Sequence, residues 1–130
     1  MDLPSSGFGG GGGPYTSVTR TIESSLKEKY EFKAILYNKE LGSGISIRRI
    51  QDLKTQIENI NPDIVHYTGL QLSGFHMAIA CKLAGINNTI VTVRGFSGDV
   101  IDFNKIKKII LTYILEPITL ILSKRVIGVS

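Results

Sequence analysis

The chain has 130 residues, of which 42% are hydrophobic and 20% are charged, and this composition predicts one folded domain and excludes a disordered chain. A single cysteine excludes an internal disulfide and favours a reducing, cytoplasmic location. The formal net charge is +4. The whole excess of positive charge lies after Asp102, where the sequence contains five lysines and arginines and one acidic residue, Glu116.

A run of five glycines, Gly9–Gly13, stands near the beginning of the chain. Glycines that open a helix allow backbone N–H groups to approach a phosphate closely. Such a loop normally follows a β-strand, but residues 1–6 contain a proline and only one large apolar residue besides Met1. We therefore expect residues 1–13 to be a glycine-rich loop, followed by an α/β domain over 14–130 whose first strand is missing.

The sequence of the first half of this domain predicts two helices and two strands. Apolar residues spaced three and four apart predict a helix over residues 14–30. Residues 31–37 predict a strand, and residues 45–47 a short second strand. The same helical spacing returns between residues 50 and 60, and this second helix is expected to end before Pro62.

The second half continues the alternation of strands and helices. The predicted elements are a strand over 63–67, a helix over 73–84 capped by Ser73, a strand over 89–93, a basic helix after Phe103 that Pro117 kinks or breaks, and a strand over 125–129. Alternating strands and helices predict an α/β fold, with a parallel sheet covered by helices on both faces.

Candidate functional residues follow the predicted strands, because ligands bind at the carboxyl edge of an open parallel sheet. Arg94 offers a planar set of donors to a phosphate or carboxylate, or else it forms an ion pair with Asp99 or Asp102. Asp99 suits a general base, or else caps a loop. His66 suits proton transfer, or else is a hydrogen-bonded core residue. His76, inside a predicted helix, is interpreted as structural.

Several common motifs are excluded. A P-loop requires lysine where Gly13 stands, and the G-x-G-x-x-G match within residues 7–12 would arise in any glycine run. The two histidines lack zinc-type partners, so we expect no metal and no cofactor. The basic residues lack interleaved aromatics, which argues against nucleic acid. The basic and apolar last segment suggests an anionic membrane surface, or else a core helix with solvated ends.

Four segments together resemble the N-terminal domain of retaining GT-B glycosyltransferases of the GT4 kind. They are Pro62–His66, Ala78–Gly85, Thr92–Gly95 and Arg125–Ser130. The resemblance implies a Rossmann-like domain that holds the acceptor while a sugar moves from a nucleotide-sugar to a glycan or glycolipid. It further implies a role in polysaccharide or glycolipid assembly, without a metal.

The resemblance also implies roles for particular residues. The glycine loop of this family lies near the donor diphosphate. Histidines often stand in the family at the positions of Arg94 and Thr68, and this departure moves the expected role toward Arg94 and Asp99. The resulting assignment gives catalytic roles to Asp99 and His66, substrate binding to Arg94, Gly95 and Thr68, and donor-phosphate binding to Gly10, Gly11, Gly12 and Gly13.

The family carries a second domain that binds the donor nucleotide, and we expect this domain to be absent from the chain or supplied by a separate chain. The missing first strand would be central in the order 3-2-1-4-5. The expectation is therefore a hexosyltransferase fragment, inactive alone, and unstable or self-associated through the gap. The alternatives are another nucleotide-binding α/β domain, or a non-catalytic partner that docks on a membrane surface or a subunit.

Overall fold

A computed structural model describes residues 2–4, 19–42, 44–94 and 104–128, which alternate between parallel strands and helices. The strands are β1 (Asp2–Pro4), β2 (Ile35–Tyr37), β3 (Val65–Thr68), β4 (Thr89–Val93) and β5 (Arg125–Gly128). The helices are α1 (Ile47–Ile60), α2 (Leu72–Leu83), α3 (Lys105–Ile110) and α4 (Glu116–Leu122), and a π-helical segment, Leu111–Leu115, joins α3 to α4. The predicted parallel α/β fold is confirmed.

The prediction that the first strand is missing is wrong. Residues Asp2–Pro4 form β1, which pairs in parallel with β2, so that Leu3 lies opposite Leu36. β1 also lies beside β3, which is the central position expected for a first strand. Three residues suffice because a short parallel strand needs backbone partners and no apolar pattern of its own. The predicted self-association through an open gap therefore loses its basis.

The remaining strands form a second parallel group in the order β3-β4-β5. Val65 of β3 pairs with Thr89 of β4, and Val91 of β4 pairs with Val126 of β5. The register places the carboxyl ends of β3 and β4 side by side. Polar residues that follow these two strands are thus brought to one edge of the sheet, as the sequence predicted.

The described core lies on one face of the sheet, between the strands and the helices α1 and α2. Leu53 and Ile57 of α1 are completely buried, and their spacing of four residues gives the helix one apolar face. Tyr67 and Val91 contribute the buried side chains of the strands. Helices on the opposite face of the sheet remain a prediction.

One local prediction holds only in part and another fails, because serine side chains compete for backbone groups. Of the helix predicted over residues 14–30, residues 14–18 lie outside the described residues and residues 19–23 are helical, but Ser24 accepts a hydrogen bond from the Leu26 N–H, and a 3-10 helix follows over Ser25–Glu28. Residues 45–47 are not a strand, because the Ser46 side chain accepts from the Arg49 N–H and caps α1. Serine favours both arrangements because its short hydroxyl reaches nearby backbone groups.

Pro117 neither breaks nor ends the last helix. It stands at the beginning of α4, directly after the π-helical segment Leu111–Leu115. Proline has no N–H and its ring collides with a carbonyl one turn earlier, so a wider π turn accommodates it while the helix continues. Leu111 and Leu115 remain buried against the domain as a result.

Candidate functional site

The candidate site begins on the face of β3 and β4 opposite to the core. Along β3, Val65 and Tyr67 are buried while His66 and Thr68 are half-buried, as alternation along a strand requires. Thr68 lies opposite Thr92 in the register. The Nε2 atom of His66 lies 2.7 Å from the Oγ1 atom of Thr92, so a hydrogen bond joins the two strands.

Arg94 follows β4 directly and is exposed. It stands two residues beyond Thr92, which places it on the same side of the sheet as His66. Burial lowers the pKa of His66, and the positive charge of Arg94 lowers it further. His66 is therefore neutral at pH 7, with a ring that can accept or donate one proton. The structure thus brings together three of the predicted site residues, His66, Thr68 and Arg94.

The other predicted site residues lie outside the described residues. They are Gly10, Gly11, Gly12, Gly13, Gly95 and Asp99. The proposed ion pair between Arg94 and Asp99 or Asp102 lies outside them too. All of these assignments stay predictions. In the part of the chain that the structure describes, no three histidine, cysteine, aspartate or glutamate side chains are placed to hold a metal ion.

A tight turn after β3 fixes the edge of the site. The Gly69 N–H donates to the Thr92 carbonyl at 2.9 Å, so the pairing of β3 and β4 continues past the end of β3. Gly74, in the first turn of α2, packs directly against Gly69. A Cβ atom at Gly74 would lie 2.0 Å from the Gly69 carbonyl oxygen, a distance that no side chain can occupy.

A second polar cluster, which sequence reasoning missed, lies at the carboxyl end of β2. We call it the Arg49 cluster, and it consists of Tyr37, Ser46, Arg49 and His76. Arg49 is buried and donates from Nε to the Asn38 carbonyl at 2.9 Å and from Nη1 to the Tyr37 hydroxyl at 3.2 Å. Its guanidinium carbon lies 4.8 Å from the centre of the Tyr37 ring, within cation–π range.

Arg49 holds the loop between β2 and α1 in place. Besides the Asn38 carbonyl, its Nη2 donates to the Gly42 carbonyl, so one side chain joins both sides of the loop. The loop follows the carboxyl end of β2 and so borders the same sheet edge as the candidate site. The sequence did contain one indication that Arg49 is buried. Arg49, Leu53 and Ile57 are spaced four residues apart, so Arg49 lies on the same buried side of α1 as the two apolar residues.

His76 completes the cluster and its tautomer follows from its partners. The Ser46 backbone N–H donates to Nε2 at 3.1 Å, so Nε2 carries no proton. Nδ1 therefore carries the proton and donates to the Tyr37 hydroxyl at 2.7 Å. Burial, and then the charge of Arg49, lower the pKa of His76 to about 4. The structural role predicted for His76 agrees with these contacts.

These features define a Rossmann-like α/β domain with a polar and basic carboxyl edge. Residues 15–125 match the family described as glycosyl transferase 4-like. Since this match spans most of the chain, the protein belongs to the glycosyl transferase 4-like family. Membership confirms the resemblance read from the sequence and supports a role in glycosyl transfer. No curated protein and no solved structure matches the chain.

Proposed function

We propose that this chain is the acceptor-side domain of a retaining GT-B glycosyltransferase. The sugar would pass from a nucleotide-sugar donor to a glycan or glycolipid acceptor in polysaccharide or glycolipid assembly. The observation that supports this most directly is the family match over residues 15–125, together with the positions of His66 on β3 and of Arg94 directly after the neighbouring strand β4. The single cysteine of the chain, Cys81, is buried, which is in keeping with action in a reducing compartment such as the cytoplasm.

In this proposal Arg94 binds the acceptor, with Thr68 and Gly95 beside it. An exposed guanidinium at the end of a buried strand suits a phosphate or carboxylate on the acceptor. Asp99 would remove the proton from the attacking hydroxyl, and His66, held neutral and hydrogen-bonded to Thr92, would orient the same hydroxyl. The loop of Gly10–Gly13 would face the donor diphosphate.

The proposal assigns most of the donor binding to a second domain or a separate chain, with no metal and no cofactor. The chain alone is then expected to bind an acceptor but to release no nucleoside diphosphate from a nucleotide-sugar. Release by the isolated chain would contradict the assignment. Tight binding of a dinucleotide, without glycan binding, would instead favour another kind of nucleotide-binding domain.

The role of Arg94 is tested by acceptor binding to the purified chain, measured on an array of phosphorylated and carboxylated glycans. Arg94→Ala is expected to weaken binding of the best glycan by about tenfold to a hundredfold, because one charge-assisted hydrogen bond contributes roughly 1.5–3 kcal/mol. Arg48→Ala removes an exposed arginine of α1 and serves as the matched control. Equal affinities of the two variants would remove Arg94 from the site.

A further inference from the structure

A group of apolar side chains on α3 and on the π-helical segment that follows it points into solvent. We call it the Ile106 face, and it consists of Ile106, Ile109, Ile110 and Tyr113. Ile106 is 69% exposed and Tyr113 is 75% exposed, and no residue of α3 is buried. Exposed apolar residues are ordinary when scattered, but a continuous patch marks a surface that binds something.

Helical geometry shows that this face is continuous and turned away from the domain. At about 100° per residue, its four side chains fall within an arc of about 100°. The buried residues Leu111 and Leu115 lie on the opposite side of the same helical segment. The helix therefore uses one apolar side for the core and presents a second apolar side outward.

Positive charge flanks the Ile106 face. Lys105 and Lys107 fall on either side of its arc, whereas Lys108 lies on the opposite side of the helix. The only acidic residue within residues 104–128 is Glu116, which is buried against the domain. The surface of this described segment thus combines exposed isoleucines with lysines and presents no acidic side chain.

This combination matches an anionic bilayer surface more closely than another protein surface. An amphipathic helix rich in lysine lies in the headgroup region, where its apolar side chains enter the boundary of the acyl chains and its lysines meet lipid phosphates. A second copy of this chain would bring like charges together. None of the described helices is long and apolar enough to cross a bilayer, so the face would rest on the surface.

We propose that the Ile106 face binds an anionic lipid bilayer and holds the domain on a membrane surface. The face lies on α3 and, at Tyr113, on the π-helical segment that follows it, and the proposal does not depend on glycosyl transfer. Binding can therefore be measured without activity, and Arg94→Ala should leave it unchanged.

The test is sedimentation of the full chain with vesicles. Phosphatidylcholine vesicles are compared with vesicles in which about one third of the lipid is phosphatidylglycerol. The chain is expected to sediment with the anionic vesicles, less at high salt, and to stay in solution with the neutral ones. Equal sedimentation with both vesicle types, or with neither, would overturn the proposal.

Variants locate the contact. Ile106→Asn is expected to lower the partition coefficient by about tenfold, because a side chain leaves the apolar boundary. Ile47→Asn on α1, where the native side chain is 71% exposed, is the matched control and should change binding by less than about twofold. Lys105→Gln combined with Lys107→Gln should lower binding to anionic vesicles by about thirtyfold at low salt.

Three results would contradict this assignment. One is an equal loss of binding in Ile47→Asn and Ile106→Asn. Another is unchanged binding of the double lysine variant. The third is a dimer in solution that Ile106→Asn dissociates, with no vesicle binding by the native chain, because the occupant of the face would then be a second copy. Far-UV circular dichroism checks that each variant is folded, which is expected since the replaced side chains are exposed.

Discussion

Acid should weaken this fold through His76, a residue that lies in its core. The pKa of His76 falls from its ordinary 6.5 to about 4 in the folded chain, because protonation would bury a charge beside Arg49 and would remove the acceptor of the Ser46 N–H. In the unfolded chain the ring protonates near pH 6.5. Below that pH the unfolded state binds the extra proton and the folded state does not, so stability falls as the pH falls.

The size of the effect follows from the same two values. Each pH unit between them costs 1.36 kcal/mol, so the fold loses about 3 kcal/mol between pH 6.5 and pH 4. This loss is a large fraction of the roughly 5–15 kcal/mol that stabilises an ordinary domain. Above about pH 6.5 the contribution of His76 to the free energy of unfolding should not vary with pH.

Urea unfolding, followed by circular dichroism across this pH range, measures the loss. Carboxyl groups also titrate there, so the informative quantity is the difference between the native chain and His76→Gln, whose amide does not titrate. His76→Gln should be less stable at pH 7 yet should lose less stability on acidification. His66→Gln, at the half-buried histidine, should keep most of the native pH dependence. Equal acid sensitivity of His76→Gln and the native chain, or an NMR titration of His76 near pH 6.5, would refute the reasoning.

Four further substitutions test the packing. Gly74→Ala should lower the free energy of unfolding, measured in urea, by about 3 kcal/mol or more, because the new Cβ would collide with a backbone carbonyl. Gly85→Ala is the comparison: Gly85 has a φ of 77° and open space around it, so the free energy of unfolding should fall by only about 1 kcal/mol. Arg49→Lys should lower the free energy of unfolding by about 1–3 kcal/mol and speed amide exchange in the β2–α1 loop, because one ammonium cannot replace the guanidinium donors. Unchanged amide exchange would contradict the role of Arg49 in holding this loop. Leu53→Ala should cost about 2–5 kcal/mol, with a lower thermal midpoint, because the side chain is completely buried.

Sequence pattern predicted two elements closely. The spacing of Leu53 and Ile57 predicted α1, because burial of one side of a helix repeats with the helical period. The continuous β-branched and apolar run Thr89–Val93 predicted β4 to the residue, because nearly all of this strand is buried. β1 escaped prediction because its three residues carry no apolar pattern in the sequence, and its pairing joins it to residues more than thirty positions away. The cap of α1 was missed because Ser46 acts through one hydrogen bond, which leaves no periodic trace.

The candidate site was predictable only in part, for a similar reason. The fold rule that ligands bind at the carboxyl edge of a parallel sheet was sufficient to select His66, Thr68 and Arg94. The Arg49 cluster could not be found in this way, because it depends on a contact between β2 and α2 that no local pattern records. Tyr37 and His76 stand far apart in the chain, and only the packed structure joins them.

The stability of this fold and the geometry of its candidate site depend on the same short turn. Gly74 allows α2 to approach Gly69 closely enough for the Gly69 N–H to bond the Thr92 carbonyl. The side chain of Thr92 in turn holds His66. A shift of the turn would therefore move the partner of His66 as well as the core. Since β3 alternates between core residues and site residues, neither set can be repositioned without the other.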